Sequence, residues 1–380
     1  MISASAPAYG GTPPYGAGLH AVQIVGGGGY GTGPHVRSLA AGLVARGVRV
    51  TVVATPRAER LYGFTDAGAQ VARLPVGRGG EVRTLAVLRA ACAGSDLVHA
   101  HGLRSGMLAQ AVLARRATPL VFTWHTKGED EGVRARVMPV LERSVVRASR
   151  IVLGASTDLV DRARRRGARD ARLSPIAVPA PRIPAQPDER ARQKARAELG
   201  AVDRPLLLAA ARLEPDHGHG ALLDAARRWR SLSPPPLLAI AGEGSQRAAL
   251  QRRIDDERLP VRLLGRRDDL PELLSAADVA VLAGAWEARP LLAQEALHAG
   301  APLVAAAVEG VAELVGEAAE LVPAGDADAL AEAVSELLAS PERRHRLAAM
   351  GRRQAAGWPT EDDTVAQVLA VYDELADALR

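Results

Sequence analysis

The chain has 380 residues, more than one ordinary hydrophobic core sustains and about the length of two α/β domains. Hydrophobic residues make up 48% of it and aromatic ones only 3%, so the cores must be Leu, Val and Ala packed between helices and strands, which argues against an all-β fold. A net charge of +5 without a dense basic block sets a nucleic-acid groove aside, and the single cysteine, Cys92, excludes an internal disulfide and a Cys-based metal cluster.

Residues 1–18 are mainly Ala, Gly, Pro and Ser, with neither a charged start nor an apolar stretch. They read as a disordered tail rather than a signal peptide or anchor, and the expected location is the cytoplasm. Short apolar runs then alternate with helical patterns, as βα units of a mainly parallel sheet require. Strands are predicted near 19–25, 48–54, 71–76, 96–102, 119–125 and 150–156, which makes 19–178 one Rossmann-like domain. A glycine loop, Gly26 to Gly33, follows the first strand, and Pro34 opens a helix. Gly28, Gly29, Gly31 and Gly33 would let backbone N–H groups approach a phosphate or a sugar. Gly26, Gly28 and Gly31 also meet the dinucleotide spacing. The second strand, however, ends in Ala54-Thr55-Pro56-Arg57 without a ribose-binding acid, so Arg57 alone supports an NADP-dependent enzyme.

His99 and His101 alternate on one strand and share a face, where strand-end packing is expected of them. His125 closes the next strand, and a hydrogen bond toward substrate is the expectation there. No third ligand stands at a fitting spacing, so no metal site is expected. Between Val133 and Arg150, Arg134, Arg136, Arg143, Arg147 and Arg150 are interspersed with Val137, Val140, Leu141 and Val145. That pattern fits a packed helix with a solvated Arg face, and weak peripheral contact with anionic lipid is the alternative.

Residues 179–204, rich in Pro, Arg and Ala and without apolar periodicity after Pro187, are expected to be an interdomain linker. A second Rossmann-like domain over 205–360 has strands predicted near 205–212, 236–242, 261–265, 278–283, 302–308 and 319–322. Its first strand delivers Arg212 and then His217, a forked fixed charge suited to a diphosphate; an Arg on a surface turn is the plain alternative. Glu287 and Glu295 stand eight positions apart, which on one continuous helix would turn them about 80° from each other. They converge only if Glu287 precedes the helix, a placement that Pro290 supports. The free N–H groups of residues 288–292, apart from Pro290, then form an anion site at a helix start; otherwise the pair is a dipole-favoured Glu and a solvated one. Asp326-Ala327-Asp328 imitates a metal-binding pattern but opens a helix, where acids cap exposed N–H groups. The last helix, within 361–380, has room to cross back to the first domain.

In this order the segments resemble the family 4 glycosyltransferases, from His20 to the C-terminus. The resemblance is carried by the glycine loop, Asp96-Leu97-Val98-His99-Ala100-His101, the Arg212 turn and Ala241-Gly242-Glu243-Gly244. It continues through Leu264-Gly265, Ala277-Asp278-Val279 and the Glu287/Glu295 pair followed by Ala299-Gly300-Ala301-Pro302. It implies an α/β fold of GT-B type, two Rossmann-like doubly wound parallel-sheet domains facing a central cleft, the first on the acceptor side. By that resemblance Glu287 and Arg212 are candidate catalytic residues, with Glu287 at the transferred sugar and Arg212 neutralising the diphosphate; His125 joins them by its place at a strand end. Glu295 would bind ribose hydroxyls, and His217, Arg289, Leu291, Leu292, Gly242, Glu243 and Arg266 would complete the donor site.

Three departures stand out. His217 replaces the family's usual Lys, Ala288 and Arg289 replace a Gly and a common aromatic, and Ile176-Ala177-Val178-Pro179 replaces a Pro-Asn-Gly turn. The expected activity is retaining transfer of a hexose from a UDP- or GDP-sugar to a cell-envelope, glycolipid, polysaccharide or small-molecule acceptor, with no metal or other cofactor. A weak or inactive sugar-nucleotide binder is the alternative that the His217 and Ala288 changes leave open, ahead of the NADP reading. Membrane contact, if made, would be at the inner face of the plasma membrane.

Overall fold

A computed structural model of the chain describes residues 18–26, 32–75, 80–125, 132–177, 189–284 and 290–378. The alternating pattern resolves into β1 (His20–Val25), α1 (Thr32–Ala45), β2 (Arg49–Ala54), α2 (Pro56–Tyr62), β3 (Gln70–Arg73), α3 (Gly80–Ala91) and β4 (Leu97–His101). It continues with α4 (Leu103–Leu113), β5 (Leu120–Trp124), α5 (Gly132–Ala148), β6 (Ile151–Gly154), α6 (Thr157–Arg165) and β7 (Ala171–Leu173). These strands form one sheet of order β3-β2-β1-β4-β5-β6-β7. Every residue of β1, β4, β5 and β6 is buried, as in a parallel sheet covered on both faces. All six predicted strands are present. The unpredicted seventh, β7, is a three-residue edge strand of half-exposed and exposed residues, too short to leave an apolar run.

The second half begins with α7 (Glu189–Leu199), β8 (Leu206–Ala210), α8 (His219–Trp229), β9 (Leu237–Ala241), α9 (Arg247–Glu257), β10 (Val261–Gly265), α10 (Leu270–Ala276) and β11 (Val279–Leu282). It ends with α11 (Leu291–Ala299), β12 (Leu303–Ala306), α12 (Glu309–Val315), β13 (Glu320–Val322), α13 (Ala327–Ala339), α14 (Pro341–Ala356) and α15 (Glu361–Asp377). Its sheet has the order β10-β9-β8-β11-β12-β13. Leu206, Leu208, Ala280 and Leu303 pack on one face, and Leu207, Leu238, Val281 and Val304 on the other. Asp326 caps α13, accepting from the Asp328 and Ala329 N–H groups at 3.0 and 2.9 Å.

The two halves repeat one device. Asp96, just before β4, accepts from the His20 N–H that opens β1 at 2.7 Å, and Asp278, just before β11, accepts from the Leu206 N–H that opens β8 at 2.8 Å. In both sheets those paired strands flank the point where strand order reverses, the usual seat of a ligand in a doubly wound fold.

The stretch expected to be a linker contains α7. Besides Leu199 in the core, polar bonds attach it: the Arg196 guanidinium donates to Asp278 Oδ2 and the Ala276 carbonyl, both at 2.9 Å, and to the Arg204 carbonyl at 2.8 Å. Of its side chains only Leu199 is buried, so hydrophobic periodicity could not reveal it. By compactness, residues up to Thr123, Ser144–Ile151 and those from Val365 onward form one unit, and Trp124–Arg143 with Val152–Thr364 the other. Among the described residues no helix is long and apolar enough to cross a membrane.

Candidate functional site

The carboxyl ends of β8, β9, β10 and β11 carry most of the candidate donor residues, and glycines let their turns close on one another. After β8 the chain runs through Arg212 into a single 3-10 turn, Pro215–His217, and then Gly218 at φ 71°. Gly218 lies so close to the Ala283 carbonyl beyond β11 that a Cβ would collide with it. Gly242, at φ 148°, approaches the Ala211 carbonyl in the same way, and Gly244 that of Leu213. Backbone bonds stitch the same turns together: Leu213 N–H to Glu243 O at 3.0 Å, Gln246 N–H to Leu213 O at 2.9 Å, and Gly242 N–H to Gly265 O at 2.8 Å. The result is a continuous rim of main chain from the end of β10 to the end of β11.

Charged side chains stand on that rim. Arg212, Glu243 and Arg266 are exposed and His217 is half-buried. Buried His219 donates through Nε2 to the Arg212 carbonyl at 2.7 Å, fixing the turn that presents Arg212. Glu214 accepts from the Ser245 N–H at 3.1 Å and its hydroxyl at 2.5 Å, and these bonds hold its carboxyl below the ordinary carboxylate range. The Arg266 guanidinium lies against Asp268 at 3.0 Å, and Glu243 against Arg247 at 3.4 Å. Sequence reasoning missed His219, Glu214 and Ser245, although the alternate histidines at 217 and 219 were a visible signal.

Helix α11 starts at Leu291 with Pro290 as its N-cap, one residue earlier than a Pro inside the first turn. Leu292, Ala293, Ala296 and Leu297 bury one face, and Leu291 is half-buried at the start. Glu295 sits mainly inside: its Oε2 is buried with no hydrogen-bond partner among the described residues. Desolvation first, and the negative charge of Glu272 on α10 second, push its pKa up to about 7. An oxygen so placed can accept a hydrogen bond from a ligand hydroxyl. Glu287, Ala288 and Arg289 lie outside the described residues, so spacing alone speaks for them.

In the first sheet, Gly28, Gly29 and Gly31 also lie outside the described residues. Gly33 belongs to the first turn of α1 rather than to a loop, and its Cα face is covered by the Tyr62 ring, which a Cβ would strike. That contact serves helix packing. His125, buried, follows the last residue of β5. His99 and His101 do share a face, with ring centroids 4.2 Å apart, and both are buried. His99 pairs with Thr123 Oγ1 at 2.6 Å and with the Tyr372 hydroxyl of α15 at 2.7 Å; His101 pairs with Gln23 at 2.5 Å, and Gln23 with Tyr372 at 2.7 Å. Gln23, buried between Val22 and Ile24 of β1, was the legible sign that such partners had to exist.

Comparisons with known proteins agree with this architecture. Residues 191–354 match the family described as glycosyl transferases group 1, and residues 30–179 match a glycosyl transferase 4-like domain. D-inositol 3-phosphate glycosyltransferase of Salinispora arenicola is 32% identical over 329 residues, 78% of this chain and 73% of that protein. The GDP-mannose-dependent alpha-(1-6)-phosphatidylinositol monomannoside mannosyltransferase of Mycolicibacterium smegmatis is 32% identical over 220 residues, 54% of this chain and 57% of that protein. In fold, the chain is similar to Anabaena HepE in complex with UDP and glucose, with a TM-score of 0.81 at 19% identity, over 93% of this chain and 99% of that one.

Proposed function

This chain belongs to the family 4 glycosyltransferases of GT-B fold, and from that footing we propose that it moves a hexose from a UDP- or GDP-sugar to an acceptor hydroxyl with retention of anomeric configuration. The observation that carries the reading is Glu295: a largely buried carboxylate whose Oε2 has no partner among the described residues, on the helix that follows β11, in the half whose strand ends carry a glycine-closed rim bearing Arg212. Ribose hydroxyls are neutral donors that satisfy such an oxygen without adding charge to the interior.

In this reading Arg212 and the N–H groups that open α11, Leu291 and Leu292, take the diphosphate. His219 acts on Arg212 through the backbone, and His217 stands on the same turn as a second donor. Glu287 and Arg289 are assigned to the transferred sugar by resemblance, and His125 to the acceptor side. Gly242 and Glu243 border the nucleotide, with Arg266 near its base. As the glycosidic bond breaks, charge grows on the leaving phosphate. In this reading Arg212 and the N–H groups at the start of α11 stabilise it, and no metal is assigned that role. A leaving phosphate on the acceptor's side of the sugar can then accept the acceptor's proton, which gives retention.

The acceptor class proposed is a cell-envelope glycolipid, a polysaccharide or a small polyol, and D-inositol 3-phosphate heads the panel because a relative is named for it. The test is incubation with UDP- and GDP-sugars and such acceptors, with NMR of the product anomer. One nucleotide is expected to raise the Tm and support turnover. Arg212→Ala is expected to lower kcat/KM by about 10²- to 10³-fold, the usual loss for a charge-stabilising donor. If no nucleotide moves the Tm, and Glu295→Ala changes nothing, the reading fails.

A further inference from the structure

We propose that Tyr372, on the terminal helix α15, is a positioning residue for the strand ends of the first sheet: its hydroxyl is the central link of a one-way hydrogen-bond chain that holds His99 in its Nε2–H tautomer and seats His101 against Gln23. The proposal deepens the function proposed above and rests on it in one respect, that the first sheet serves the acceptor.

The chain's direction follows from what each group can do. Gln23 Oε1 only accepts, so the proton between it and His101 Nε2, 2.5 Å away, is on the histidine. Gln23 Nε2 only donates, and it meets the Tyr372 oxygen at 2.7 Å. With that lone pair taken, the tyrosine spends its own proton on His99 Nδ1 at 2.7 Å, which must then be bare. A neutral imidazole with a bare Nδ1 carries its proton on Nε2, and here that nitrogen lies 2.6 Å from Thr123 Oγ1. Each link leaves its neighbour one permitted direction, so reversing the Gln23 amide would reverse every proton in the chain.

The surroundings keep the chain neutral and single-valued. Burial lowers the pKa of His99 to about 3 and of His35 to about 4, and raises that of Tyr372, so none of the three is charged at neutral pH. Gln23 and His99 are direct register partners on β1 and β4, and Thr123 is on β5 beside them, so the chain spans three adjacent strands. Tyr372 is fully buried, flanked on α15 by buried Val368, Val371 and Leu375. Its far end controls His101, the last residue of β4, whose ring packs edge-on to His35 of α1 at 5.8 Å. A hydroxyl on the chain's last helix thereby sets the side-chain geometry at a strand end more than 250 residues away in sequence.

The test uses the full chain labelled with ¹⁵N-histidine and reads the two ring nitrogens of His99 by long-range ¹H–¹⁵N correlation. Wild type is expected to show protonated Nε2 and bare Nδ1. Tyr372→Phe, which keeps the ring and removes the hydroxyl, is expected to yield mixed tautomers. Thr123→Ser should preserve the wild-type pattern, and Thr123→Val should lose it. In turnover, Tyr372→Phe is expected to raise the acceptor KM by about five- to tenfold, the worth of one buried hydrogen bond. Hydrolysis of the donor and the donor KM should stay put. A wild-type His99 with its proton on Nδ1, a tautomer unaffected by Tyr372→Phe, or an equal rise in donor KM overturns the proposal. Absence of any sugar transfer by the wild type would sink the proposed function alone, since the tautomer readout does not depend on turnover and still decides the chain.

Discussion

A carboxyl with a pKa of about 7 gives Glu295 a pH signature that an exposed glutamate lacks. Its folded value stands above the ordinary 4.5, so between these values the folded protein holds a proton that the unfolded chain releases. Stability from this group is therefore fully present below about pH 4.5 and lost as pH rises through 7, by roughly 3 kcal/mol at most. Glu295→Gln, neutral and of the same shape, should remove that slope in urea unfolding at pH 5 and pH 8. Nucleotide binding should run the opposite way: hydroxyl donors favour the carboxylate, so binding expels the proton and affinity should rise from pH 6 to pH 8 in wild type only. Identical slopes in both proteins would show that Glu295 is not the group responsible. At this scale the sequence made Glu295 visible through its spacing from Glu287 and the Pro290 signal. It could not reveal Glu272, 23 positions earlier on another helix, whose charge helps to set that pKa.

Among the elements, the turn after β8 concentrates the constraints. Gly218 needs a left-handed φ of 71° and has no room for a Cβ beside the Ala283 carbonyl. Gly218→Ala is expected to cost about 1–3 kcal/mol and, by pushing the Arg212 turn off β11, to weaken nucleotide binding as well. Gly220→Ala, two residues on in α8 with open space around it, should be neutral or stabilise by up to about 1 kcal/mol. Denaturant titration and calorimetric nucleotide binding compare the two; equal effects would dissolve the argument for a close-packed rim. Strands were legible because buried parallel strands are continuous Val, Leu and Ala runs. Helix α7 was not, because Arg196 holds it through carbonyls and Asp278 that only folding brings within reach. The neighbour of Gly33 was hidden for a similar reason: glycine in a sequence signals freedom or closeness, and here the close neighbour is the ring of Tyr62, from another helix.

For the whole molecule, the two compact units should unfold in separable steps, so a single Tm is an incomplete description. Nucleotide at about 100 times its Kd should stabilise the unit it binds by about 2.7 kcal/mol, which places the shift in the transition of the second unit. Tyr372→Phe should lower the other transition and leave the nucleotide-dependent one in place. Differential scanning calorimetry of both proteins with and without nucleotide separates these effects, and a single transition moved by both changes would refute the assignment.

The sequence by itself determined the alternation of strands and helices, two doubly wound halves, the order of the motifs and hence the glycosyltransferase family. All of these depend on local pattern and spacing along the chain. Tertiary structure alone decided that Glu295 is largely buried, that Gly218 and Gly242 close one backbone rim, and that His99 and His101 belong to a network completed by Gln23 and Tyr372. Burial and hydrogen-bond partnership are properties of pairs of residues far apart in sequence. No window along the chain contains both members.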